Sequence, residues 1–377
     1  MAEGSRTVRL APLDALRGLA ALAVPTFTHF QHFGGDRSTY PYDSLALVHW
    51  FYLYSQFFVD LFFVLSGVVM TYRYLEPLSD GRADGREFFV HRFSRLYPLH
   101  LLMLLVCAGV QWTLLANHHG PVIYAQDDFF TFVLHLTFLH LWFERGPGYN
   151  YASWSVCAEV FVYVLFFVFA RGRRKTFLIG SALSVFVGVA VLSGTAVPLL
   201  NRNMARAPVG FFMGVLTFLA MRHVSRRGWG PAVGAACLGF LIAVLVVANT
   251  ISYEAWIGSD PLPYGLALFP LLTMAALYFP PLSRVLSARP LTFLGDISYA
   301  IYLTHIPVQM ILLSFTAVRG IQLPTTRPWF FWAWVGSLLI LGTIVHYGFE
   351  RPVMAWLRQR LLQRPAVRPV AAVVPAE

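Results

Sequence analysis

Residues 54–74 read Tyr54-Ser55-Gln56-Phe57-Phe58-Val59-Asp60-Leu61-Phe62-Phe63-Val64-Leu65-Ser66-Gly67-Val68-Val69-Met70-Thr71-Tyr72-Arg73-Tyr74. A run of this length and apolarity can cross a hydrocarbon core of about 30 Å. In lipid the backbone polar groups must be satisfied within the segment, so the run is expected to be a helix rather than an open strand. The whole chain has the same character: 57% of its 377 residues are hydrophobic and 12% are charged, about half the charged share of a soluble domain. That composition leaves no room for a sizeable soluble domain.

Similar runs occupy 13–33, 97–116, 129–143, 154–170, 176–196, 206–221, 231–250, 264–280, 292–316 and 329–348, which makes eleven candidates with 54–74. Basic residues decide which of them cross, because basic loops stay on the cytoplasmic side. If 129–143 does not cross, 22 of the 28 basic residues fall inside, including the Arg171-to-Lys175 cluster. The segment is also the shortest and carries His135 and His140. The expectation is an all-α polytopic membrane protein with ten spanning helices, a short re-entrant or interfacial helix at 129–143, and both termini cytoplasmic. Residues 1–353 form the membrane domain and 354–377 a basic cytoplasmic tail, disordered at its end. The net charge of +10 then reports topology rather than nucleic-acid binding. Three cysteines within apolar segments, Cys107, Cys157 and Cys237, suggest neither a metal site nor a disulfide framework.

Ionisable residues inside membrane spans are expensive and mark functional sites by default. Here they are Asp14, Arg17 and His29 in the first run, Asp60 in the second, Glu159 after Trp154, and His305 in 292–316 with Tyr299 and Tyr302 at three-residue spacing. In the expected topology His29, Asp60 and Glu159 lie in the outer half of the membrane, and Arg17, Arg92, Arg95, Arg289 and Arg351 at its inner boundary. A basic inner mouth suits an anionic cytoplasmic ligand, and an imidazole beside a carboxylate suits proton transfer. Boundary arginines also serve as anchors that reach the headgroups, and a membrane histidine also serves as a helix-to-helix hydrogen bond.

Six stretches in order resemble the bacterial membrane-bound acyltransferase-3 family: Leu13 to Leu22, Val59 to Gly67, Phe88 to Pro98, Trp154-Ser155 with Glu159 and Tyr163, Leu294 through Tyr302 to His305 and Pro307, and Glu350-Arg351-Pro352. The resemblance implies O-acyl transfer, usually of acetyl, from cytoplasmic acyl-CoA to a hydroxyl of a surface carbohydrate, lipid-linked glycan or secreted natural product. It implies a bacterial cytoplasmic (inner) membrane location and no permanently bound cofactor or metal. It makes Arg17 a donor-site residue, joined by Arg92 and Arg95, and His29 the catalytic base, oriented by Asp60. Ser66, Tyr97, Trp154, Ser155, Glu159, Tyr302, His305, Glu350 and Arg351 would line the site or polarise the carbonyl.

One departure affects the base. The family separates the first-helix Arg and His by ten residues, and here eleven intervene. At about 100° per residue an unbroken helix then sets the two side chains about 120° apart. Pro25, between them, can kink the helix or widen a turn and return His29 to the active face; otherwise His32 is the alternative. A covalent route through Cys157 is open, and a proton-coupled transporter or flippase for a glycan or small solute is the rival reading of the same charges.

Overall fold

The computed structural model describes residues 10–117, 120–124, 128–143, 146–250 and 260–362. The last part of the expected tail, 363–377, lies outside them. Among the described residues all regular structure is helical, apart from one isolated bridge between Val197 and Leu200. In chain order the helices are α1 (Ala11–Thr26), α2 (Ala46–Tyr54), α3 (Phe58–Ser79), α4 (Gly85–Ala116), α5 (Phe129–Leu136), α6 (His140–Phe143), α7 (Trp154–Ala170) and α8 (Arg174–Leu192). They continue as α9 (Arg202–Arg226), α10 (Gly230–Thr250), α11 (Phe269–Tyr278), α12 (Pro280–Leu286), α13 (Arg289–Arg319), α14 (Pro328–Val345) and α15 (Arg351–Leu362).

Eight helices among the described residues are long and apolar enough to cross a membrane, and nine if the pair 264–278 and 280–286, bent by 91°, forms one span. Ten were expected, and the difference lies in the first run. There α1 holds only 16 residues, about 24 Å of helix, before the chain turns into a 3₁₀ segment at Thr28–Phe33. Segment 129–143 is too short to span: α5 has eight residues and α6 four, separated at Phe138 with its φ at 56°. Between the first two apolar runs the chain already returns to helix, because α2 leads through a 3₁₀ turn directly into α3. The chain thus has the architecture of a multi-pass membrane protein. Its surface agrees: Ile179, Phe186 and Phe240 are 66%, 69% and 53% exposed, apolar faces that suit lipid as a solvent.

Two helices position the site. α1 crosses α13 where Gly18 meets Gly295: a Cβ on Gly18 would lie 2.4 Å from the Leu294 carbonyl carbon, and one on Gly295 2.2 Å from Asp14 O. Backbone-to-backbone approach of this kind needs glycine and is how membrane helices gain close packing without a hydrophobic driving force. α1 also packs on α3, and α13 on α4 and α14. Near its end, Pro25 provides no N–H to the helical ladder, and at Phe27 the backbone leaves the helix, with φ −114° and ψ −65°. The Pro25 carbonyl accepts from Trp334 Nε1 of α14 at 3.0 Å, so the break is held in place. Finally, the chain does not leave the bundle at 353. A π-turn at His346–Glu350 leads into α15, which packs on α4.

Candidate active site

A cavity of about 480 Å³ opens between α1, α3, α4, α7 and α13, with Met354 and Arg358 of α15 at one end. Five arginines line it, namely Arg17, Arg73, Arg92, Arg95 and Arg358, against three carboxylates, Asp14, Glu159 and Asp296. The arginines differ in how they are held. Arg17 Nη2 donates to Asp14 Oδ1 at 2.8 Å and to Gly295 O at 3.1 Å, and its Nε to Ser298 Oγ at 3.1 Å. Arg17 therefore ties α1 to α13 as well as facing the cavity. Arg95 reaches Glu350 Oε1 at 3.4 Å, and the other oxygen of Glu350 meets His346 Nδ1 at 2.9 Å. Arg92 has neutral partners: Tyr74 OH at 3.1 Å, Met70 Sδ at 3.4 Å, and the rings of Tyr74 and Tyr163. Its Nε is buried with no hydrogen-bond partner. Arg358, from the expected tail, donates to Ser94 Oγ at 3.0 Å. A cation held by neutral groups at a cavity wall fits a charged acceptor.

Further in, Glu159 Oε1 accepts from Ser66 Oγ at 2.8 Å and from Tyr163 OH, and Ser66 Oγ and Tyr163 OH are 3.0 Å apart. Glu159 is in this way held through one carboxylate oxygen by two hydroxyls. Next to it Ser155 Oγ donates to Tyr302 OH at 3.1 Å. Tyr302 is the last residue of α13 along the cavity wall.

One turn beyond Tyr302, His305 meets His29. His305 is fully buried, and its Nδ1 lies 2.5 Å from Tyr302 O. A carbonyl oxygen only accepts, so that nitrogen carries the hydrogen. In a neutral ring Nε2 then holds the lone pair, and His29 Nδ1, 2.6 Å away, must be its donor. The proton of His29 is fixed on Nδ1, and its Nε2 is left as a lone-pair base. The two rings lie within 18° of parallel with centroids 4.9 Å apart, as an edge-to-edge hydrogen bond sets them, and the His32 ring lies 4.9 Å from that of His29, 19° from parallel. Gln309, four residues after His305, clamps the group: its Nε2 donates to His29 O at 2.8 Å and its Oε1 accepts from His32 Nδ1 at 3.2 Å. His29 does face α13, as Arg17 does. The break at Phe27 ends the regular helical count, so neither an unbroken 120° offset nor a widened turn describes the result.

Several expected site residues sit elsewhere. Asp60 does not orient His29: its carboxylate is bound by Arg206 of α9, Nη2 to Oδ2 at 2.6 Å and Nε to Oδ1 at 3.1 Å. A buried carboxylate takes the strongest cation within reach, and Arg206 supplies two hydrogen bonds where an imidazole supplies one. Trp154 stacks on that same guanidinium, 4.9 Å from ring centroid to Cζ. Tyr97 donates to Leu136 O at 3.2 Å and lines a second, apolar cavity of about 290 Å³ beside the first. Glu350 is buried between Arg95 and His346, off the cavity wall. Arg351 is exposed, over the Tyr347 ring at 5.9 Å. Cys157 is buried with its thiol on Phe138 O at 2.8 Å and does not line the cavity. Gln309, Arg206 and Arg358 were missed. The signal for Gln309 was its place one turn from His305 on the same helical face.

A family model described as an acyltransferase domain matches residues 10–349. The chain belongs to the acyltransferase-3 family. It is 26% identical to "Acyltransferase MdmB" of Streptomyces mycarofaciens over 405 aligned residues, covering 97% of this chain and 95% of that protein. It is 26% identical to "Putative peptidoglycan O-acetyltransferase YrhL" of Bacillus subtilis (strain 168), covering 78% of this chain and 50% of that one. The chain spans about half the length of YrhL but nearly all of MdmB. A "Putative O-acetyltransferase" of Staphylococcus aureus (strain COL) is 23% identical, with 66% of this chain and 45% of that protein covered. No solved structure matches the chain. The fold, the family and these relatives define an acyltransferase with O-acetyltransferase relatives.

Proposed function

We propose that the protein transfers an acyl group, most simply acetyl, from acyl-CoA to an acceptor hydroxyl, with His29 as general base. The observation that carries this reading is the chain Tyr302 O, His305, His29, which leaves His29 Nε2 unprotonated. His29 is only partly buried, so an acceptor can reach it.

In this reading the CoA phosphates sit at the arginine mouth, which faces the cytoplasm, and the pantetheine arm runs through the cavity towards Tyr302. The acceptor O–H gives its proton to His29 Nε2 as its oxygen bonds to the thioester carbon. The resulting imidazolium keeps its Nδ1–H on His305 Nε2. When the C–S bond breaks, the leaving thiolate takes the proton back from Nε2, so the base is regenerated. Proton transfer of this kind contributes a factor of about 10²–10⁴. The name of one relative, a putative peptidoglycan O-acetyltransferase, favours a cell-envelope glycan as acceptor.

The test uses membranes carrying the protein, supplied with radiolabelled acetyl-CoA. The expected product holds the label in an ester, released by mild alkali, and a His29→Ala membrane forms none. Label that resists alkali, or ester formed equally by the variant, contradicts the reading.

A further inference from the structure

We infer that the Tyr302 hydroxyl is the hydrogen-bond donor to the acyl carbonyl oxygen in the transition state. The inference rests on the transfer reading above and assigns the cavity hydroxyl that lies one helical turn from His305, the partner of His29.

Ser66 and Tyr163 give their protons to Glu159. Tyr299 gives its proton to Leu96 O at 2.6 Å, and Ser298 gives its own to Gly295 O at 2.8 Å. All four side chains line the same cavity as Tyr302. Tyr302 differs: its oxygen accepts from Ser155 Oγ at 3.1 Å, a hydrogen shared with Ala152 O at 3.3 Å. Ser155 Oγ is its one hydroxyl partner among the described residues, so while Ser155 donates to it the Tyr302 O–H is left for a ligand. Accepting a hydrogen bond polarises a hydroxyl and makes it a better donor. Tyr302 is 5% exposed and lines the cavity, and a donor set in place beforehand needs no reorganisation as charge develops.

Position points the same way. The carbonyl of Tyr302 fixes the tautomer of His305 at 2.5 Å, and His305 holds His29. One residue of α13 thus sets the base through its backbone and presents a donor through its side chain. As the acceptor oxygen attacks, the C=O electron pair moves onto oxygen. Tyr302 O–H hydrogen-bonds that oxyanion without surrendering its proton. Collapse re-forms C=O, breaks the C–S bond and expels the thiolate, which His29 protonates.

The experiment is acetyl-CoA hydrolysis by the purified protein, with water as acceptor, together with acetyl-CoA binding. Tyr302→Phe is expected to lower kcat by about 10²–10³-fold, the effect of removing one oxyanion donor, with the Kd for acetyl-CoA unchanged. Ser155→Ala should lower kcat in the wild-type background and have no further effect in Tyr302→Phe, because the serine acts through that hydroxyl. A purely structural tyrosine would give independent losses, and that result overturns the inference. So does an unchanged kcat in Tyr302→Phe, or a loss confined to binding. Failure of the wild type to hydrolyse or bind acetyl-CoA overturns the transfer reading itself, so the two failures are distinguishable.

Discussion

His29→Ala lowers kcat for acetyl-CoA turnover by about 10²–10⁴-fold, the usual worth of a positioned base, and leaves acetyl-CoA affinity intact. The affinity is expected to survive because His29 does not line the arginine-bearing cavity. His305→Ala also slows turnover, for a different reason. Without His305 Nε2, 2.6 Å from His29 Nδ1, nothing holds the hydrogen on that nitrogen, and His29 can turn its protonated edge towards the acceptor. The two residues act as one unit, so the double variant should be no slower than His29→Ala alone. Steady-state kinetics of the three variants check this. Losses that multiply in the double variant would contradict the relay, and a His29→Ala enzyme of normal kcat would contradict the base.

Arg92→Ala weakens acetyl-CoA binding by about tenfold to a hundredfold, the worth of a hydrogen bond to a charged group at about 1.5–3 kcal/mol. Arg92 is singled out by its partners. Arg17 is tied to Asp14, Ser298 and Gly295, and Arg95 to Glu350, so much of their charge is answered within the protein. The Arg92 guanidinium meets a phenol, a thioether and two ring faces, with its Nε unsatisfied. An anionic ligand supplies what those groups do not. The kcat at saturating donor should change little, since Arg92 is remote from His29 in this reading. Isothermal titration with acetyl-CoA measures the shift. An Arg92→Ala protein with wild-type affinity, alongside an Arg17→Ala protein that folds and binds nothing, would transfer the donor role to Arg17.

Much of the site was legible because polar residues in an apolar run are costly and few. Glu159, Ser66 and Tyr163 lie on two separate runs, yet each stood out, and the structure brings them into one hydrogen-bonded group. Arg17, Arg92 and Arg95 stood out as boundary cations and do line one cavity. Pairing was not legible. Asp60 could be seen as needing a partner, but the choice of Arg206 over a histidine depends on how α9 packs against α3. The meeting of His29 with His305 depends on where α1 breaks, and Pro25 showed that a break was possible without showing its direction. The first run falls outside the eight or nine long apolar helices because hydropathy does not register the change from α to 3₁₀ geometry at Thr28. Arg358 was missed because a basic stretch after the last apolar run was taken for solvated tail. Its role follows from α15 lying along α4, a tertiary contact with no local signature.

The proposed transfer requires that this chain bind acyl-CoA at its arginine-lined cavity and turn over the thioester. The most direct measurement is acetyl-CoA binding and hydrolysis by the purified wild-type protein in detergent. Saturable binding and slow release of free CoA that requires His29 are expected. A protein that binds no acyl-CoA and releases no CoA would contradict the proposed transfer, and the intramembrane charges would then be better read as a transport pathway.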